Sequence, residues 1–246
     1  MSKNIGFIST RFAGTDGVTL ESSKWVSVLE SSGHRCFWLA GELERDPSES
    51  LLVPEMHFKH EENQWISRRI FGCKGRSSDV TMAIHTLKRT LKSNIEDFVS
   101  RFDIDLLVVQ NALSIPLHVP LGVALTEFIA ETQFPTIAHH HDFYWERTRF
   151  IVNAVGDFLR MSFPPSLPNI EHVVINSEAQ EALALRTGIV SEVIPNVIDF
   201  DNPPLRNNDR TLAFRNSLGL EPDDKLILQP TRVVQRKGIE HALELV

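Results

Sequence analysis

Ile104-Asp105-Leu106-Leu107-Val108-Val109-Gln110 is the stretch on which the fold turns. Past its one acid it is apolar almost without a break, the composition of a strand covered on both faces. Such strands belong to parallel sheets sandwiched between helices, so apolar runs and amphipathic segments should alternate along the chain. They do. Ile5-Gly6-Phe7-Ile8-Ser9 and Cys36-Phe37-Trp38-Leu39-Ala40 read as strands upstream, and Pro135-Thr136-Ile137-Ala138-His139 and His172-Val173-Val174-Ile175-Asn176 read as strands downstream. Between the first two, Val18, Trp25, Val28 and Leu29 mark a helix that stops at Ser32-Gly33, with Gly33 where a C-cap glycine belongs. A long polar stretch, about residues 60–100, reads as an insertion followed by a helix over 80–102, with Ile84, Leu87, Leu91, Ile95 and Phe98 at helical spacing. A further helix is expected over 121–132, and another after residue 176, capped by Ser177 with Glu178 and Glu181 in its first turn.

Residues 1–200 are therefore expected to form one α/β domain with an open parallel Rossmann-like sheet. The polar, proline-bearing stretch over 199–209 reads as a linker. Beyond it, a helix around 214–218 and a strand at Leu226-Ile227-Leu228-Gln229-Pro230-Thr231 open a second Rossmann-like domain, assigned to 201–246 with its linker. One strand and one helix cannot close a sheet, so this second domain is expected to be truncated, the natural chain either continuing past Val246 or being a truncated product.

Composition narrows the function classes. With 42% hydrophobic and 23% charged residues the 246-residue chain is ordinary globular protein, and its net charge of -7 with scattered basic residues argues against nucleic acid as a partner. Cys36 and Cys73 sit in unlike contexts, which suggests neither a disulfide framework nor a thiolate metal site and fits a reducing cytoplasm. The N-terminus reaches a strand almost at once, without the pattern of a signal peptide. No window approaches the ~20 apolar residues of a membrane span. Trp65-Ile66-Ser67-Arg68-Arg69-Ile70-Phe71 has the composition for a peripheral membrane contact, although a partly buried helix is the plainer reading.

Three constellations carry chemistry. Gly14-Thr15-Asp16-Gly17 opens the first helix, where glycines allow close approach of a ligand and free amides at a helix start bind anionic oxygens; a merely tight turn reads equally well. His139-His140-His141-Asp142 follows a strand at the edge that faces the ligand crevice of an open α/β sheet. Alternation sends His139 and His141 to one side and His140 to the other. A metal site and a satisfied structural cluster are weighed against a substrate-facing site, which leads, with His141 to hydrogen-bond a sugar hydroxyl and Asp142 to orient the imidazole or bind another hydroxyl. Finally, Arg232-Val233-Val234-Gln235-Arg236-Lys237-Gly238 holds two cations five positions apart, Arg232 and Lys237, beside a helix start, as would suit a diphosphate leaving group; an exposed cationic loop is the alternative.

Taken in order, the glycine loop, Ser32-Gly33-His34, His141-Asp142, Val174-Ile175-Asn176-Ser177-Glu178, Val193-Ile194-Pro195-Asn196-Val197-Ile198-Asp199 and Arg232 with Lys237-Gly238 resemble the retaining glycosyltransferases of GT-B fold, group 1 or family 4. The resemblance spans nearly the whole chain. It implies an acceptor-side domain followed by the start of a donor-side domain, with a hexose moved from a nucleotide-diphosphate sugar to a hydroxyl acceptor, lipid or glycan or small molecule, without a bound metal or other cofactor. It further implies Gly14 and Gly17 near donor phosphates or acceptor, His141 near the transferred sugar, and Arg232 and Lys237 on the diphosphate, with Asp142, Ser177 and Asn196 among the substrate-binding residues. Val197 stands where that family usually has glycine, and the chain ends before the family's two-glutamate donor motif, so donor identity is not written here. A nucleotide-sugar 2-epimerase and a non-catalytic, incomplete glycosyltransferase-like fragment are the alternatives.

Overall fold

The computed structural model describes residues 2–198, 200, 209–221, 223–231, 233 and 237–245. The chain divides into two compact units, Met1–Asn196 and Val197–Val246. In the first unit β1 (Asn4–Ile8), α1 (Gly17–Ser31), β2 (Arg35–Ala40), β3 (Ser50–Leu52), α2 (Glu61–Ile70), α3 (Ser78–Arg101), β4 (Leu106–Gln110), α4 (Val119–Thr132), β5 (Thr136–His140), α5 (Thr148–Ile151), α6 (Gly156–Ser162), β6 (Ile170–Val174), α7 (Ser177–Thr187) and β7 (Ser191–Val193) follow one another. The seven strands form one sheet of order β3-β2-β1-β4-β5-β6-β7, and every pairing is parallel. The α/β class with an open parallel sheet is thus as expected.

Two-sided burial explains why the strand sequences are so continuously apolar. Leu107 and Val109 of β4, Phe37 and Leu39 of β2 and Ile8 of β1 face a large core with Leu87, Leu91, Ile95 and Phe98 of α3 and Val123 and Leu125 of α4. The alternate residues Val108, Cys36, Trp38, Ile5 and Phe7 face a smaller core closed by Val26 of α1. The helix expected over 80–102 is α3, and all five residues that marked it are buried. Its length follows from that stripe, since propensity alone does not hold a helix in water.

Caps set the ends. Asp16, in extended backbone, accepts from the amides of Val18 and Thr19 and starts α1; Gly33, at φ 86°, turns the chain out after it. The cap of α7 is one residue earlier than expected: Asn176, not Ser177, accepts from the Ala179 amide, and Ser177 is the first helical residue. Asn176 wins because it sits extended, at φ -159° and ψ 168°, where its side-chain Oδ1 reaches the Ala179 amide of the first turn. Residues 65–71, considered for a membrane contact, lie in and just past α2, with Ile66 and Ile70 in the core and the Arg69 guanidinium 4.1 Å from the Trp65 ring centroid. No described helix is long and apolar enough to cross a membrane.

In the second unit α8 (Asp209–Ser217) and α9 (Ile239–Glu244) are formed, and neither buries a residue. Arg215 ties the end of α8 to the carbonyls of Glu221 and Asp224, each at 2.8 Å. The strand expected at 226–231 is not formed: Ile227 is 88% exposed, and no described neighbour supplies a ladder for its backbone.

Candidate active site at the carboxyl edge of the sheet

Strand order reverses between β1 and β4, and the edge beyond the carboxyl ends at such a reversal is where open α/β sheets take ligands. Gly14 and Gly17 follow β1, His141 and Asp142 follow β5, Ser177 follows β6 and Asn196 follows β7. The fold therefore brings six of the expected site residues to one edge of one sheet. Lys237 lies in the second unit, exposed, its carbonyl accepting from Gln229 Nε2 at 2.9 Å. Arg232 lies outside the described residues.

The histidines divide by strand alternation as expected. On the α1 side, His139 is fully buried between the Trp25 ring, stacked at 4.6 Å, and the His141 ring at 4.5 Å. Both ring nitrogens of His139 are buried without a partner among the described residues. On the other side, His140 lies 2.9 Å from His172 through Nε2 and Nδ1, with the two rings stacked at 5.2 Å. Burial keeps all three neutral: His139 is pushed down to about 3 and His172 to about 4, and His140, with His172 beside it, well below its usual range. Among the described residues no group of three or more His, Cys, Asp or Glu is placed to hold a metal ion.

His141 is the partly exposed member of the run. Its backbone amide donates to Asn111 Oδ1 at 2.8 Å, and its Nε2 lies 3.1 Å from Gln110 Oε1. Burial lowers its proton affinity; Glu21, Asp142 and Asp16 oppose that, and Lys24 adds to it. The Glu21 carboxylate is itself buried on α1 and paired with Lys24. Of the two roles expected of Asp142, to orient the imidazole or to bind another hydroxyl, the first has no direct contact behind it: the carboxylate turns to Arg147, which donates from Nε at 2.6 Å and again from Nη2. The turn closes on itself, because Glu146 accepts from the Phe143 amide at 3.1 Å and Trp145 stacks on Phe143 at 4.5 Å.

The glycine loop differs from the expectation of free amides. Asp16 Oδ1 accepts from Val18 and Thr19, while Oδ2 accepts from the Thr19 hydroxyl at 2.8 Å and from Arg11 at 3.0 Å. The Gly14 amide donates to Glu44 at 2.9 Å. Gly14, at φ 68°, needs its left-handed backbone, and space around both glycines is open. Gln110, Asn111, Trp25 and Glu21 were not expected at the site from sequence, Trp25 and Gln110 having been read only as parts of a helix and a strand. The pair Gln110-Asn111, polar residues ending an apolar strand at the crevice edge, was the available signal for two of them.

A concavity of about 670 Å³ lies between α2 and α3, lined by Trp65, Met82 and the carboxylates of Glu61, Glu62 and Asp79 among others. It includes none of these edge residues, and no buried unpartnered polar atom points to a ligand there.

No family model matches the chain. It is 32% identical over 98% of its length to the mannosylglucosylglycerate synthase of Petrotoga mobilis and 33% identical over 98% to that of Thermotoga maritima, covering 56% of each. The chain thus spans little more than half the length of these relatives. A shorter match, 33% identical over 49% of the chain and 25% of the relative, is to the mannosylglucosyl-3-phosphoglycerate synthase of Petrotoga mobilis. Among solved structures, Arabidopsis thaliana UGT89C1 complexed with UDP superposes with a TM-score of 0.48 at 15% identity, over 100% of this chain and 63% of that one. An alpha-glucosyltransferase in complex with UDP and mismatched DNA gives 0.38 at 10%, over 78% of this chain and 40% of that one.

Proposed function

We propose that the chain is the acceptor-side domain, with the opening of the donor-side domain, of a glycosyltransferase that moves a hexose from a nucleotide-diphosphate sugar to a hydroxyl acceptor with retention. The observation that carries this reading is the similarity of almost the entire chain to two mannosylglucosylglycerate synthases. By that likeness the hexose is mannose and the acceptor a glucosylglycerate. The edge described above supports the same reading, since sugar recognition needs polar side chains held at fixed positions in a partly buried crevice.

In this reading His141 hydrogen-bonds the transferred sugar where positive charge develops at the anomeric carbon, and Asp142, held by Arg147, Ser177 and Asn196 contribute to hydroxyl recognition. Arg232 and Lys237 balance the charge that grows on the diphosphate as its bond to the sugar breaks, which makes the reaction independent of a bound metal. The glycine loop, with the Gly14 amide taken by Glu44 and the Val18 and Thr19 amides by Asp16, serves as a close wall for a neutral part of the acceptor rather than as a phosphate seat.

Glucosylglycerate added to residues 1–246 is expected to show ligand-observed NMR saturation transfer that His141→Ala weakens. Transfer from a nucleotide-diphosphate mannose by these residues alone is expected to stay at the blank rate, because a donor side this short cannot bury a nucleotide. Absence of binding by any glycerate-linked or free hexoside overturns the acceptor-side assignment, and turnover above the blank overturns the assignment of incompleteness.

A further inference from the structure

We propose that Gln110 and Asn111, at the carboxyl end of β4, are positioning residues that hold His141 with its Nε2 proton turned inward and its Nδ1 lone pair left for a ligand hydroxyl. Two separate contacts converge on the one residue. Asn111 Oδ1 accepts from the His141 backbone amide at 2.8 Å and fixes where the chain leaves β5. Gln110 Oε1 lies 3.1 Å from His141 Nε2 and fixes the ring. An amide oxygen can only accept, so the proton of a neutral imidazole sits on Nε2 and the lone pair on Nδ1.

Each holder is itself held. Asn111 occupies left-handed backbone at φ 59°, which asparagine tolerates better than other side-chain-bearing residues. Its amide donates to the His139 carbonyl at 3.0 Å, and its own carbonyl accepts from the amides of Ser114 and Ile115 at 3.2 and 3.1 Å. Gln110 is buried, and its carbonyl accepts from the Ser9 hydroxyl at 3.2 Å, which ties the ends of β1 and β4 together at the point of strand reversal. The Gln110 amide nitrogen is buried with no partner among the described residues, a cost with no return in packing alone. His139 and Trp25 back the ring from the α1 side.

His141 Nδ1 makes no hydrogen bond among the described residues, and the ring is partly exposed. A lone pair there accepts from O–H and has nothing to offer a phosphate or a ring oxygen. The edge would accordingly read a polyhydroxylated ligand by a hydroxyl that donates. This ligand assignment rests on the proposed function, whereas the positioning does not.

Long-range 1H–15N NMR of the imidazoles in residues 1–246 tests it. The wild type is expected to show His141 as a single tautomer protonated at Nε2. Gln110→Leu removes the acceptor, so the two nitrogen resonances should converge as tautomers mix and the ring loses its fixed orientation. Gln110→Glu restores the Nε2–H state and moves the His141 titration midpoint upward, because a carboxylate favours imidazolium. The charged groups already acting on that ring, Glu21, Asp142, Asp16 and Lys24, are the same in all three proteins. A wild-type ring protonated at Nδ1 or mixed between tautomers, or a midpoint unmoved by Gln110→Glu, overturns the proposal. If Gln110→Leu does not fold, the wild type and Gln110→Glu still decide. A chain that transfers no sugar would leave these spectra unchanged, so failure of the functional reading and failure of this one are distinguishable.

Discussion

The two sides of β5 take the same residue type to opposite ends. His140 is sealed: it has 1% exposure, a histidine partner, Phe143 5.1 Å from its ring, and no route to a ligand. His141, one step on, keeps a partly exposed ring, with one nitrogen committed to Gln110 and the other without a protein partner among the described residues. Adjacent histidines are therefore no unit of function by themselves. Which face of the strand a residue meets, and whether the strand has ended, decides between core and site.

Acid offers the broadest way to break this contrast. His139 is pushed down to about 3, and His118 and His172 to about 4, so the folded protein holds these rings neutral while the unfolded chain protonates them near 6.5. The unfolded state then binds more protons, and stability is fully present above that value and lost as pH falls through the window down to about 4. At roughly 1.4 kcal/mol for each tenfold change in proton affinity, the three together cost on the order of 10 kcal/mol. Urea unfolding midpoints measured across this range should fall steeply, and a flat profile would mean that the rings are not sealed.

Next in size is His140→Ala, which leaves a cavity and strands His172 Nδ1, at a cost of about 3 to 5 kcal/mol by chemical denaturation. His141→Ala should cost under about 1 kcal/mol of stability. In the active enzyme it should nonetheless lower kcat and kcat/KM together by roughly 2 to 4 kcal/mol of transition-state stabilisation. Reversal of the pair, with His141 the stability residue and His140 the kinetic one, would falsify the assignment of faces. The smallest effect is expected at Asp16→Ala, which removes the α1 cap and destabilises by about 1 kcal/mol, and which also takes away one of the carboxylates that favour a protonated His141.

Much of this was legible before any coordinates. Runs such as Leu106 to Gln110 could only be strands buried on both faces, and the stripe of Ile84, Leu87, Leu91, Ile95 and Phe98 could only be a helix against them. β3 and β7 were missed because three residues are too few to show a period, and both lie toward the edges of the sheet. At the site, alternation gave the faces of His139, His140 and His141 correctly. The partners were not legible: Arg147 rather than His141 takes Asp142, and Gln110 comes from a strand about thirty residues away, contacts that only strand adjacency between β4 and β5 creates. The expected strand at 226–231 failed for the complementary reason, since an apolar run becomes a strand only when another strand lies beside it.

Asp16 has a further consequence for the loop that it caps. With Arg11, two amides and a hydroxyl all directed at its carboxylate, the start of α1 carries its own counter-ion, and the region is electrically settled before any ligand arrives. An anion entering there would not simply add to an open seat. It would have to evict a tethered competitor whose local concentration never falls, so occupancy of this loop is an exchange reaction. Exchange of one carboxylate for another anion leaves the local charge nearly unchanged, and such an equilibrium should respond far less to ionic strength than ion binding at an unfilled cationic site does.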